Sequence, residues 1–142
     1  MAAALRERNR NVRIGLADPG GSALYSFFTT GHLAAQGESI AEGIGISFVP
    51  GNLQGTSVDF ACKVDDDTAL PLIYDLLKHE GICVGGSSGV NIAGAVAMAR
   101  RMGPGHTIVT ILADSGSRYL KRLYNPEYLL SRKLPVPDWV MA

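Results

Sequence analysis

An α/β fold with a mainly parallel sheet is predicted by three features of the sequence. Short apolar, β-branched runs alternate with segments of helical periodicity, as right-handed strand–helix–strand crossovers require. One run, Thr107 to Leu112 (TIVTIL), reads as a strand buried on both faces. Glycine is in excess, 17 of 142 residues, with neither a collagen period nor a low-complexity repeat. The glycines are therefore expected at turns and at close backbone approaches.

The elements follow in order. Met1 to Arg10 reads as a helix with arginines on a solvated face. Val12 to Ala17 is a short strand, ended by the turn residues Asp18-Pro19-Gly20-Gly21. Ser22 is placed to cap a helix from Ala23 to about Thr30, with Leu24, Phe27 and Phe28 on its apolar side. From Gly31 to Gly55 the periodicity fails, and a long irregular loop inside a domain is usually functional. Val58 to Val64 reads as a second strand. Asp65-Asp66-Asp67-Thr68 then opens a helix to His79, its acids favouring the helix dipole rather than a metal. Pro71 falls in the first turn, and Gly81 stops the helix. After Ile82-Cys83-Val84 and the turn Gly85-Gly86-Ser87-Ser88-Gly89, a helix is expected from about Val90 to Met102. Its small inner residues Ala93, Gly94, Ala97 and Ala99 imply close packing. TIVTIL ends at Ala113-Asp114-Ser115-Gly116, and helical turns are expected near Tyr119–Leu123 and Glu127–Arg132.

Composition removes several function classes. With 46% hydrophobic and 18% charged residues the chain is not intrinsically disordered. Lys+Arg and Asp+Glu balance at 13 each, which leaves no basic surplus for nucleic acid. Cys62 and Cys83 are too few for a disulfide scaffold and are expected as free, buried thiols in a reducing, cytoplasmic setting. MAAALRERNR has no apolar core of the kind a secretory signal carries. Residues 81–99 are uncharged, but five glycines fit a strand, turn and packed helix better than a membrane span. His32, His79 and His106 lack metal-ligand spacing, so no metal site is expected.

Ligands of open α/β sheets bind beyond the carboxyl ends of strands. Two such ends carry small polar residues here: Gly85-Gly86-Ser87-Ser88-Gly89 and Ala113-Asp114-Ser115-Gly116. Glycines let the backbone approach a ligand, and Ser87 stands where strand turns into helix, beside unpaired helical N–H groups. Taken alone, such a turn is as readily a helix cap. No Walker A loop or G-x-G-x-x-G fingerprint is present.

In order and spacing, however, several segments match a family. They are Ala17-Asp18-Pro19 with Gly21-Ser22-Ala23-Leu24, Glu42-Gly43-Ile44-Gly45 with Phe48-Val49-Pro50, and Glu80-Gly81-Ile82. Gly85-Gly86-Ser87-Ser88-Gly89 and Asp114-Ser115-Gly116 with Arg118-Tyr119-Leu120 complete the set. The chain resembles the C-terminal part of the pyridoxal-phosphate-dependent cysteine synthases (O-acetylserine sulfhydrylases), in the fold shared with cystathionine β-synthase. It departs from the common pattern at Ala113, where proline is frequent, and at Ser117, where an acid is frequent. Asn125-Pro126-Glu127-Tyr128-Leu129 is closer to the cystathionine β-synthase-like branch.

The resemblance implies a three-layer, tryptophan synthase β-like fold with helices on both faces of the sheet. Residues 1–142 would be the C-terminal portion of its large cofactor-binding domain, without the N-terminal half. It implies that Ser87 hydrogen-bonds the pyridine nitrogen, next to Gly86. Gly43 and Gly45 would line the substrate side of the cofactor, and Asp114 and Ser115 would shape the pocket near the ring. A neutral hydroxyl at the ring nitrogen makes a weaker electron sink than an Asp would. That suits elimination from an activated serine such as O-acetylserine to an aminoacrylate, followed by sulfide addition to give L-cysteine.

The family's Schiff-base lysine, Gly/Thr-rich phosphate cup and substrate-carboxylate loop all precede the region this chain resembles. Lys63, Lys78, Lys121 and Lys133 do not resemble that lysine, so no catalytic residue is assigned and the chain alone is expected to be inactive. The alternatives are a cystathionine β-synthase-like activity, a non-catalytic α/β remnant, or a module completed by a missing N-terminal half. A complete enzyme of this family is expected to be a homodimer. The partners implied are an amino-acid substrate and sulfide, with no nucleic acid and no membrane.

Overall fold

A computed structural model describes residues 1–141. The centre is a parallel pair of strands, β1 (Gly15–Pro19) and β2 (Phe60–Val64), in the register Gly15↔Phe60 to Pro19↔Val64. β1 lies later than the Val12–Ala17 expectation and takes in two residues read as a turn. Its start is set by β2: the Ile14 carbonyl accepts from the backbone N–H of Asp59 (2.9 Å) and of Phe60 (3.3 Å). Pro19 is tolerated because it stands at the strand's end.

Helices cover both faces of this pair. Successive strand residues point to opposite sides. Gly15 and Ala17 face α4 (Gly86–Met102): a Cβ at Gly94 would lie 2.5 Å from the Ala17 Cβ, and one at Gly15 would lie 3.1 Å from Met98 Sδ. On the other face the Asp18 carboxylate accepts the Tyr25 N–H of α2 (Leu24–Thr30) at 2.7 Å. The α/β layering read from the sequence is thus present, built on a two-stranded parallel sheet.

α3 (Asp66–Glu80) packs along α4, and Asp65 caps it by accepting the Thr68 N–H at 2.8 Å. Gly81 ends it in the left-handed region (φ +68°), as a C-terminal glycine does. α4 begins at Gly86, four residues before the expected Val90. Gly85 takes the extended N-cap position, so the whole Gly-Ser-Ser-Gly run is wound into the helix. α1 (Ala2–Arg8) is shorter than expected. It is held by Arg6, which donates to the Ser57 carbonyl at 2.9 Å and the Asp59 carboxylate at 2.6 Å. α5 (Pro126–Ser131) and α6 (Asp138–Met141) close the chain.

The core has two parts. Val64, Ala69, Val90 and Ala93 fill the space between β2, α3 and α4, with Ile44 of the long loop packed against them. Leu70, Ile73, Tyr74, Val84, Tyr119, Leu123 and Leu129 join α3 to the C-terminal segments. Each large side chain fully buried there contributes roughly 1.5–3 kcal/mol.

Two further expectations fail. Thr107–Leu112 is not a buried strand: the segment has no ladder partner among the described residues, and Val109 is 82% exposed, Ile111 56% and Leu112 41%. The Asn91 side-chain amide of α4 donates to its Ile111 carbonyl at 3.0 Å. A β-branched run becomes a strand only when another backbone satisfies its N–H and C=O groups. Cys62 and Cys83 are free thiols as expected, but half-buried rather than buried.

Candidate functional site

The carboxyl ends of β1 and β2, the first turn of α4 and the irregular segment 31–55 meet in one region. Gly86 and Ser87 lie in the first turn of α4, both buried, with Ser87 7% exposed. Ser88 beside them is wholly buried, and its hydroxyl has no partner within the protein. A buried unpaired hydroxyl is costly, which makes this turn unusual among the helix starts of the chain.

Glycine is demanded here by contact rather than by dihedral angle. A Cβ at Gly86 would lie 3.1 Å from Ala41 Cα, so the long loop presses directly on the turn. One at Gly85 would lie 2.8 Å from the Tyr119 ring and 3.0 Å from Asp114 Cβ. Asp114 adjoins the turn through its backbone, whose carbonyl accepts the Gly85 N–H at 2.8 Å. Ser115 bridges Val84 in antiparallel fashion. The Asp114 carboxylate accepts the Tyr119 hydroxyl at 2.5 Å, and this bond pushes the Tyr119 phenol above its ordinary pKa. Ser115 is exposed, its hydroxyl 2.9 Å from that of Ser117.

Gly43 and Gly45 are exposed and left-handed, with φ of +74° and +86°. A Cβ at Gly45 would lie 2.8 Å from Pro19 Cγ, so that glycine permits the loop to cross the end of β1. A Cβ at Gly43 would meet nothing within 4 Å. Of the six expected residues, Gly86, Ser87, Asp114 and Ser115 are thus gathered around the turn. Gly43 and Gly45 flank it on the loop that reaches Gly86 through Ala41.

Several positioning residues escaped the sequence reading. Asp66 was assigned only to the helix dipole, yet its carboxylate accepts the Ser39 hydroxyl at 2.5 Å and the Ile40 N–H at 2.8 Å. Three adjacent acids thus differ: Asp65 caps α3, Asp66 holds the loop, and Asp67 is exposed. Ala23 takes the N-cap position of α2, without a side-chain cap bond, so Ser22 does not hold the place expected of it and instead ties the loop. The Ser22 hydroxyl donates to the Ile46 carbonyl and accepts the Ile46 N–H, both at 3.0 Å. The Tyr124 hydroxyl donates to the Val84 carbonyl at 2.6 Å and accepts its N–H at 3.2 Å, fixing the approach to the turn. Burial pushes that phenol well above its ordinary pKa, with the Cys83 thiol adding to the shift. Only the irregularity of 31–55 signalled these anchors.

The pyridoxal-phosphate dependent enzyme family matches residues 1–114. Among curated proteins, the Dictyostelium discoideum cysteine synthase is 38% identical over 144 residues, covering 94% of this chain and 38% of that protein. The Emericella nidulans cysteine synthase 1 is 40% identical over 128 residues, covering 87% of this chain and 34% of that one. Among solved structures, the O-acetylserine dependent cystathionine β-synthase from Helicobacter pylori superposes with a TM-score of 0.75 at 30% identity. That match covers 85% of this chain and 37% of that one. The chain therefore spans less than two fifths of the length of these relatives. Among the described residues no helix is long and apolar enough to cross a membrane. With a family match over most of its length and a fold to accord with it, the chain belongs to the pyridoxal-phosphate dependent enzymes.

Proposed function

We propose that this chain is the later part of a β-replacement enzyme that makes L-cysteine from an activated serine, O-acetylserine, and sulfide. The observation that carries the reading is the first turn of α4. Ser87 stands there beside the buried, unpaired hydroxyl of Ser88, with no ionised side chain among residues 85–89. The residues fit pyridoxal phosphate, which when bound supplies the electron-withdrawing ring that labilises a substrate's leaving group.

Ser87 would hold the ring nitrogen through a neutral hydroxyl, which can donate or accept a hydrogen bond without fixing a proton there. Gly86 lets Ala41 close against the turn and keeps water from its inner side. Asp114 and Ser115 would border the ring, the Asp114 carboxylate being kept in place by Tyr119. Gly43 and Gly45 would face the substrate. Asp66 and Ser22 anchor their loop at both ends, so these residues orient the substrate side rather than react.

No lysine of the chain is assigned a covalent role. Lys63 donates to the Gln36 carbonyl at 2.9 Å, and Lys78 lies 5.9 Å from the Trp139 ring. The preceding part of the fold is expected to supply the lysine, the phosphate cup and the carboxylate-binding loop. The complete enzyme is expected to be a cytoplasmic homodimer, in keeping with two free thiols. The likeness to an O-acetylserine dependent cystathionine β-synthase supports a second reading: the same donor with homocysteine as acceptor.

The test is to add pyridoxal phosphate to the chain alone, and to the chain co-expressed with the preceding part of the Dictyostelium relative. The chain alone should show no stoichiometric cofactor absorbance and no turnover of O-acetylserine. The pair should form cysteine from sulfide, or cystathionine from homocysteine. Stoichiometric absorbance with turnover by the chain alone, or no activity in a soluble pair, would overturn the proposal.

A further inference from the structure

The end of the sheet opposite Ser87 holds a cavity of about 300 Å³, lined by Arg13, Asp59, Phe60, Met98, Arg101 and Met102. It lies between the amino-terminal ends of β1 and β2 and the last turns of α4. Fifteen helical residues from Ser87 to Arg101 put it roughly 20 Å from that turn. Nothing in the proposed chemistry uses it.

Its charge is unbalanced. Asp59, the one acid in the wall, is already engaged: its carboxylate accepts the Arg6 guanidinium at 2.6 Å and the Ile14 N–H at 2.7 Å. The Ile14 N–H, then Arg6 and Arg13, hold that carboxyl below the ordinary carboxylate range. Neither Arg13 nor Arg101 takes part in the ion pairs of the described residues. Arg6 and Arg13 therefore both act on that one carboxylate, and Arg101 adds a further guanidinium to the wall. Arg101 lies over the Phe60 ring with its Cζ 5.4 Å from the centroid, which holds the guanidinium beside the ring. The floor is apolar, made by Phe60 and two thioethers. The absent side chain of Gly15 is what admits Met98, whose sulfur would be 3.1 Å from a Cβ there. Methionine adapts readily to a flat apolar guest.

We propose that this cavity binds a small organic carboxylate with a planar apolar body. Arg13 and Arg101 hold the carboxylate through their donor forks, and the body lies on Phe60, Met98 and Met102. The volume is at the lower end of the range for small-molecule sites, so the guest is about the size of a single ring with its acid.

The test is a backbone-amide NMR titration of the chain at constant ionic strength, with benzoate, benzyl alcohol and inorganic phosphate as probes. Benzoate should give saturable shifts at Arg13, Asp59, Phe60 and Met98–Met102. R13Q, which removes an exposed side chain, should weaken binding tenfold or more. R101K keeps the charge but loses the stacked fork, and should weaken binding severalfold. Benzyl alcohol should not saturate, and phosphate should bind more weakly than benzoate. Absence of saturable shifts, shifts centred elsewhere, unchanged affinity in R13Q, or phosphate matching benzoate would each overturn the proposal.

Discussion

The contact between α4 and β1 sets where the Ser87 turn stands, and it can be tested by moving one methyl group across the interface. A Cβ at Gly94 would lie 2.5 Å from the Ala17 Cβ, whereas ordinary contact begins near 3.4 Å. The Ala17 methyl is fixed to its strand and cannot rotate away. G94A therefore forces helix and strand apart, at an overpacking cost of about 1–3 kcal/mol. Alanine regains about 1 kcal/mol of helix propensity, leaving a net loss of about 0–2 kcal/mol. A17G alone costs about 1 kcal/mol, from strand entropy and a partly buried methyl. In the double variant the clash is gone and the propensity gain remains, so stability returns close to that of the parent. The cycle's interaction energy then equals the clash itself, about −1 to −3 kcal/mol. Urea unfolding followed by circular dichroism measures all four proteins. An interaction energy within 0.5 kcal/mol of zero, or a G94A protein more stable than the parent, would refute the close approach.

The remaining expectations use the same chain. D65A should cost about 1 kcal/mol by uncapping α3. The Asp65 carboxyl is held below its ordinary pKa, first by the Thr68 side chain and then by its backbone N–H. The stability it contributes is therefore present above the ordinary carboxylate range and lost as pH falls through the lowered folded value. Unfolding curves from neutral to acidic pH should converge for parent and D65A, and a gap that widens toward acid would contradict this. Y74F removes the hydroxyl that donates to the buried Leu123 carbonyl at 2.8 Å, so a loss of about 1–2 kcal/mol is expected in the same assay. The chain should associate with rising concentration in analytical ultracentrifugation, and V109K with I111T should reduce that association, because both side chains are exposed on an unpaired segment. Unchanged association would place the sticky surface elsewhere. D66A should raise amide hydrogen exchange at Ile40 and Ala41 while leaving β1 and β2 protected. Uniform loss of protection would mean that Asp66 holds the fold and not the loop.

Local chemistry explains what was legible. Asp65 and Gly81 mark the ends of α3 because capping and left-handed backbone are decided within a few residues. The Gly-Ser-Ser-Gly turn was visible as a strand–helix junction, but α4 starts earlier because Gly85 already supplies the extended cap. Thr107–Leu112 shows the opposite limit. Its residues suit a strand buried on both faces, yet whether it is one depends on backbones brought to it, which no local pattern encodes. The anchors of the loop were hidden for the same reason. Asp66 and Ser39 are 27 residues apart, and nothing about an acid near a helix start says that a distant hydroxyl will reach it.

The pinning of the long loop also bears on how its length can vary. From Gln36 to Ile46 the segment is tied at short intervals, through the backbone of Gln36 (to Gly21 and Lys63), Ile40 (to Asp66) and Ile46 (to Ser22 and Ala23) and through the side chains of Ser39 (to Asp66) and Glu42 (to Arg122). An inserted residue anywhere in that stretch puts at least one tie out of phase. Between Ser47 and Thr56 the backbone hydrogen bonds among the described residues are local, within Pro50–Thr56, and do not engage the end of β1. Insertions and deletions should therefore gather in the second half of the loop, and residues 36 to 46 should keep a fixed count wherever the site is kept.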